Sequence, residues 1–124
     1  MPRLIHHIAI GVRDVEGVAR FYREAFGLPE VARHFTQTGA LRSIWLDSGQ
    51  TIVMVERTEE PAREVAGVGV GPFLLAFSVE ASEREALEGA LERAGSVIEE
   101  RTEHSSYARD PEGNRVAISH YPRP

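Results

Sequence analysis

Between His7 and Val12 the apolar residues alternate. Ile8, Ile10 and Val12 fall on one side of the backbone, and His7, Ala9 and Gly11 on the other. A period of two predicts a strand over about 4–12 whose faces meet different environments. Asp14 then occupies an N-cap position ahead of Val15, Val18, Phe21, Tyr22 and Phe26, which recur at helical spacing. Gly27 supplies the stop, so a helix is predicted over about 15–26. Pro29 breaks the pattern, and three strands follow: Val31 to Phe35, Leu41 to Asp47, and Thr51 to Arg57. Turn signals at Thr38-Gly39 and Ser48-Gly49-Gln50 separate them.

Residues 58–71 change character: acidic, interrupted by Pro61, and ending in Gly67-Val68-Gly69-Val70-Gly71. They read as a connection, with a short helical piece at 61–66. The alternation resumes from Pro72 to Val79, placing Leu75, Phe77 and Val79 opposite Leu74 and Ala76. Ser82-Glu83-Arg84-Glu85 has the form of a capping box. It opens a helix that turns Leu87, Ala90, Leu91 and Ala94 inward and stops at Gly95. Val97 to Glu100, Ser105 to Arg109 and Arg115 to Tyr121 are three further strands. Asp110-Pro111-Glu112-Gly113-Asn114 joins the last two as a hairpin.

Both halves therefore run strand, helix, strand, strand, strand. A single such unit covers one face of its sheet with a helix and leaves the other bare, so two units are expected to enclose a site. The predicted class is α+β: two βαβββ modules, about 1–57 and 72–124, in one domain around a cup-shaped cavity.

The 124 residues suffice for one core. The net charge of −5 argues against non-specific nucleic-acid binding, which needs a basic face. The absence of cysteine excludes disulfides, thiolate metal sites and cysteine nucleophiles. The apolar run Phe73 to Phe77 is far too short to span a bilayer, and the N-terminus has no signal-peptide core. A cytoplasmic protein without membrane partners is expected.

His7-Ile8-Ala9-Ile10-x-Val12-x-Asp14, followed by Phe21-Tyr22 and Phe26-Gly27-Leu28, resembles the vicinal oxygen chelate superfamily. That group includes glyoxalase I, extradiol dioxygenases, fosfomycin-modifying transferases and bleomycin resistance proteins. Ser106-Tyr107-x-x-Asp110-Pro111-x-Gly113-Asn114-Arg115-Val116 is similar to its last hairpin. The resemblance implies up to four metal-ligand positions and a homodimer whose cups are completed by the partner chain. Here those positions carry His7, Leu74, Ala117 and Met54 (or Val53, one residue away). Leu and Ala have no donor lone pair, and thioether sulfur is too soft for zinc, magnesium or manganese. A metal-free site is therefore expected, with a relocated divalent-metal site at His7, Glu56 and His104 as the alternative.

The expected cavity lining is His7, Ala9, Met54, Leu74, Ala76, Ala117 and Ser119. Trp45 and Tyr107 either stack a flat ligand or complete the core. Tyr121 shares the parity of Ala117; His6 and His120 have the opposite parity from His7 and Ala117, toward the helix side or solvent. Ser105 and Ser106 lack an elbow or oxyanion turn. The Gly67–Gly71 run opens no helix and so is no phosphate loop. Arg42 and Arg109 either meet an anion or stay on the surface. The expected function is binding of a hydrophobic or aromatic small molecule, as the resemblance to the bleomycin-resistance branch implies. The alternative is a diverged glyoxalase- or dioxygenase-like enzyme, with His7 as candidate base in a metal-free version.

Overall fold

The computed structural model describes residues 1–123. Ten elements follow in order: β1 (His7–Val12), α1 (Val15–Phe26), β2 (Glu30–Phe35), β3 (Leu41–Asp47), β4 (Ile52–Arg57), β5 (Leu75–Ser78), α2 (Arg84–Arg93), β6 (Glu100–Arg101), β7 (Ser105–Arg109) and β8 (Arg115–Ser119). The strands form two four-stranded mixed sheets, β1-β4-β3-β2 and β5-β8-β7-β6. In each, the first strand lies parallel to the last, and the remaining neighbours are antiparallel. This is the expected βαβββ arrangement, made twice.

The chain divides into two compact units: Met1–Arg23 with Gly27–Pro61, and Glu24–Phe26 with the chain from Ala62 onward. In the first unit the Asp14 carboxylate accepts from the Gly17 amide (3.0 Å), closing the start of α1. Gly27 ends the helix at φ 69°, its amide donating to the Arg23 carbonyl. The inward stripe of α1 packs Val15, Val18 and Tyr22 with Val12, Ile44, Leu46, Val53 and Val55, all buried. Alternate residues of the same strands form the sheet's other face, which no helix covers: His7, Ala9 and Gly11 on β1 are exposed.

In the second unit, the sheet turns Val116 and Ile118 toward the side of the buried Leu91 of α2. Its other face carries Ala76 and Ser78 on β5, Tyr107 and Ser105 on β7, and Ala117 and Ser119 on β8, joined through Ala76↔Ala117↔Tyr107 and Ser78↔Ser119↔Ser105.

Several expectations are corrected here. No helix forms at 61–66, where Pro61 and the flanking polar residues supply no apolar stripe to bury. The capping box lies two residues earlier than Ser82. A 3-10 turn at Ala81–Glu83 precedes α2, and the Glu83 side chain accepts from the Glu80 amide (2.8 Å). The strand expected at Val97 to Glu100 shrinks to Glu100–Arg101, because Val97 is exposed and has no face to bury. β5 begins at Leu75, so Leu74 precedes the strand instead of lying within it.

Candidate functional site

The open face of the first sheet is built by register. Ala9 lies opposite Met54 and Met54 opposite Trp45; Ser43 lies between Glu56 on β4 and His34 on β2. Because parity alternates, these side chains share one face. Trp45, the chain's single tryptophan, stands between two imidazoles. The His7 ring is nearly parallel to it (14°) with centroids 6.4 Å apart. The His34 ring is closer, 4.9 Å, and tilted by 52°. The indole Nε1 is buried and has no hydrogen-bond partner among the described residues. His7 Nδ1 lies 3.0 Å from His6 Nδ1, one nitrogen donating and the other accepting. Ser43, a residue 2% exposed, holds its hydroxyl 3.3 Å from His34 Nδ1.

Thus His7, Ala9, Trp45, Met54 and Glu56 do share a face, and Trp45 is half-buried on it. His34 and Ser43 belong to the same face and were missing from the expected lining. Their alternation with Ala32 and Trp45 was visible in the sequence, but not which strands would neighbour each other.

The second unit's open face is hydroxylic. Ser105 Oγ donates to Ser119 Oγ (2.8 Å). The Arg115 guanidinium caps the Tyr107 ring at 4.5 Å from its centroid and pairs with Glu100 at 3.2 Å. Ala76 is exposed at this face, whereas Ala117, 1% exposed, is its closed floor. His104 packs its ring against His120 (5.3 Å) and Tyr121 (5.0 Å). His120 meets the helix side, as its parity implied: Arg84 Nη1 of α2 lies 3.4 Å from its Nε2.

Arg109 is fully engaged, with Glu99 at 3.0 Å and with the carbonyls of Val65 (2.6 Å) and Gly113 (3.0 Å). It borders an open cavity of about 470 Å³ lined by residues 62–66, Glu112 and Gly113, none of them an expected ligand residue. Arg42 is exposed.

A divalent ion does not fit the donors present. His7 is the sole nitrogen or oxygen donor among the four positions that the family resemblance implies, and the other three side chains are Leu74, Ala117 and Met54. Among the described residues, no three or more His, Cys, Asp or Glu side chains are grouped closely enough to hold a metal. No helix among them is long and apolar enough to cross a membrane.

Residues 4–118 match the model of the Glyoxalase/Bleomycin resistance protein/Dioxygenase superfamily. The chain belongs to that superfamily. No curated protein matches it. Among solved structures it is similar to the fosfomycin resistance protein FosX from Mesorhizobium loti, at 17% identity and TM-score 0.80, covering 98% of this chain and 94% of that one. A FosX variant from Listeria monocytogenes, solved with Mn(II) and 1S,2S-dihydroxypropylphosphonic acid, superposes with TM-score 0.82 at 14% identity, covering 98% and 95%. Lactoylglutathione lyase from Agrobacterium tumefaciens follows at 23% identity and TM-score 0.70, covering 95% and 93%. At these identities the likeness is one of fold.

Proposed function

We propose that this protein binds a planar aromatic small molecule on the open face of its first unit and needs no metal to do so. The observation that carries this reading is the pair of near-parallel rings, His7 and Trp45, with centroids 6.4 Å apart. Near-parallel rings at this separation form an offset aromatic pair, within the range of about 4.5–7 Å usual for such contacts. Because His7 is exposed, its ring can turn aside and give a flat ligand ring access to the face of Trp45. Met54 and Ala9, joined to Trp45 by register, give the apolar floor. FosX in its Mn(II) complex and lactoylglutathione lyase represent the enzymatic side of the superfamily. The present donor set supports no step through a metal.

Because Trp45 is the single tryptophan, its fluorescence reports this face alone. A panel of flat aromatic compounds should quench it saturably and raise the melting temperature by mass action. Saturated rings of equal size should not, and Trp45→Leu should abolish the thermal shift. A panel in which no aromatic compound changes either signal overturns the reading.

A further inference from the structure

The first unit's open face holds a second imidazole that is better secured than His7. His7 is exposed, and its Nδ1 meets only His6, itself exposed. His34 is half-buried on β2, opposite Ser43 in register, with Nδ1 3.3 Å from the Ser43 hydroxyl. Ser43 is 2% exposed within the central strand β3, so this partner is fixed. A hydroxyl both donates and accepts: it donates to Nδ1 in one neutral tautomer and accepts from Nδ1–H in the other and in the imidazolium. The contact therefore survives a change of charge on the ring. Nε2 has no partner among the described residues, and the ring lies against Trp45 at 4.9 Å. Across Ser43 stands Glu56, whose carboxylate shares the face and has no ion-pair partner among those residues. The other charged residues of β2, Glu30 and Arg33, are occupied with each other and with Arg23 and Glu16 of α1.

Building on the aromatic-binding reading, we propose that His34 is the proton acceptor of this site, positioned by Ser43, and that its ligand is a planar aromatic bearing an acidic hydroxyl. In the step, the ligand O–H bond breaks and an Nε2–H bond forms. The electron pair stays on oxygen, so a neutral pair becomes phenolate and imidazolium with no co-reactant.

The test uses para-nitrophenol, whose phenolate is yellow, and its methyl ether para-nitroanisole, which has no proton to give. Binding is read from the indole N–H resonance of Trp45, at a pH where free para-nitrophenol is largely protonated. The intact protein should bind the phenol about tenfold more tightly than the ether, equivalent to one net hydrogen bond of about 1.4 kcal/mol. The bound phenol should show the phenolate band. His34→Gln keeps a hydrogen-bonding group without basicity; it should retain ether binding, which shows that it is folded, and lose the band. Ser43→Ala should reduce the preference severalfold with ether binding intact. His7→Ala should weaken both compounds alike. Equal affinity of the intact protein for the two compounds, or a phenolate band that survives His34→Gln, overturns the proposal while the aromatic site stands. If neither compound moves the Trp45 resonance, the aromatic site itself fails and the proposal falls with it.

Discussion

The Ser106 hydroxyl, fully buried on β7, donates to the Glu88 carboxylate of α2 across 2.5 Å. Around this bond the second unit ties its helix to its sheet. Arg101 of β6 reaches the same carboxylate at 2.9 Å. Arg84, one turn earlier, donates to Ser106 Oγ (2.9 Å) and to the carbonyls of Thr102, Glu103 and Ser105. With the Glu88 side chain only 14% exposed, the network meets the demand that buried polar groups be satisfied.

The Arg101 hydrogen bond, aided by the Ser106 hydroxyl against the opposing effect of burial, holds the Glu88 carboxyl below the ordinary carboxylate range. A depressed folded-state value means stability that is present above the unfolded carboxylate's pKa and lost as pH falls through the folded one. Glu88→Gln should therefore cost about 1–3 kcal/mol at neutral pH, the scale of a hydrogen bond to a charged group. Exposed Arg101 places it toward the lower end. Urea unfolding of both proteins from pH 7 into the acid range should show the gap closing. A gap independent of pH would refute the ionic part of the argument.

The hairpin between β7 and β8 depends on Asp110, 4% exposed. Its carboxylate accepts from the Glu112 amide (2.9 Å), the Asn114 amide (3.0 Å) and Asn114 Nδ2 (2.8 Å), while Gly113 takes φ 90°. Asp110→Ala should cost about 2–3 kcal/mol by leaving these donors unpaired. Asp110→Asn, which retains one acceptor oxygen, should cost less. Denaturant midpoints check both, and equal effects would show that the retained acceptor oxygen contributes nothing without the charge.

The fold was legible because its signals are local and repeated. Asp14 and Gly27 bracket α1 where their chemistry requires, and alternation from His7 to Val12 assigned each residue its face. The Asp110 turn likewise announced its hairpin. What failed was what depends on partners. Ser82-Glu83-Arg84-Glu85 fits a capping box, yet Glu80 and Glu83 make it, since a preceding 3-10 turn shifts the start. His34 and Ser43 have no motif; they become a pair only when β2 and β3 register against each other, with irregularities on either side at Glu30/Ala32 and His34/Phe35.

Donor chemistry makes a prediction about metal. With Leu74, Ala117 and Met54 at three of the four positions that the family resemblance implies, chelator treatment should leave the melting temperature unchanged. Elemental analysis should find no stoichiometric divalent ion in the purified protein. One tightly held ion per chain, with a melting temperature that drops on chelation, would require donors other than those these positions supply.

The last prediction concerns assembly. Each sheet leaves one face without a helix, and those faces are partly apolar: Ala9 and Ala76 are exposed, while Trp45, Met54 and Leu74 are half-buried. Apolar surface of this kind is costly to leave in water and marks an interaction site. A second copy carries the same faces and so satisfies both partners at once by two-fold symmetry. We therefore expect a homodimer, with light scattering giving twice the 13.7 kDa chain mass at micromolar concentration. A mass of one chain across that range would refute it. His7→Ala separates assembly from binding. Exposed His7 makes a hydrogen bond only with His6, so its removal should leave the dimer and the melting temperature nearly intact. Affinity for a flat aromatic ligand should fall by ~1 kcal/mol, the size of one ring contact or hydrogen bond. If that substitution instead costs several kcal/mol in stability, His7 supports the fold and the parallel-ring site loses its outer wall.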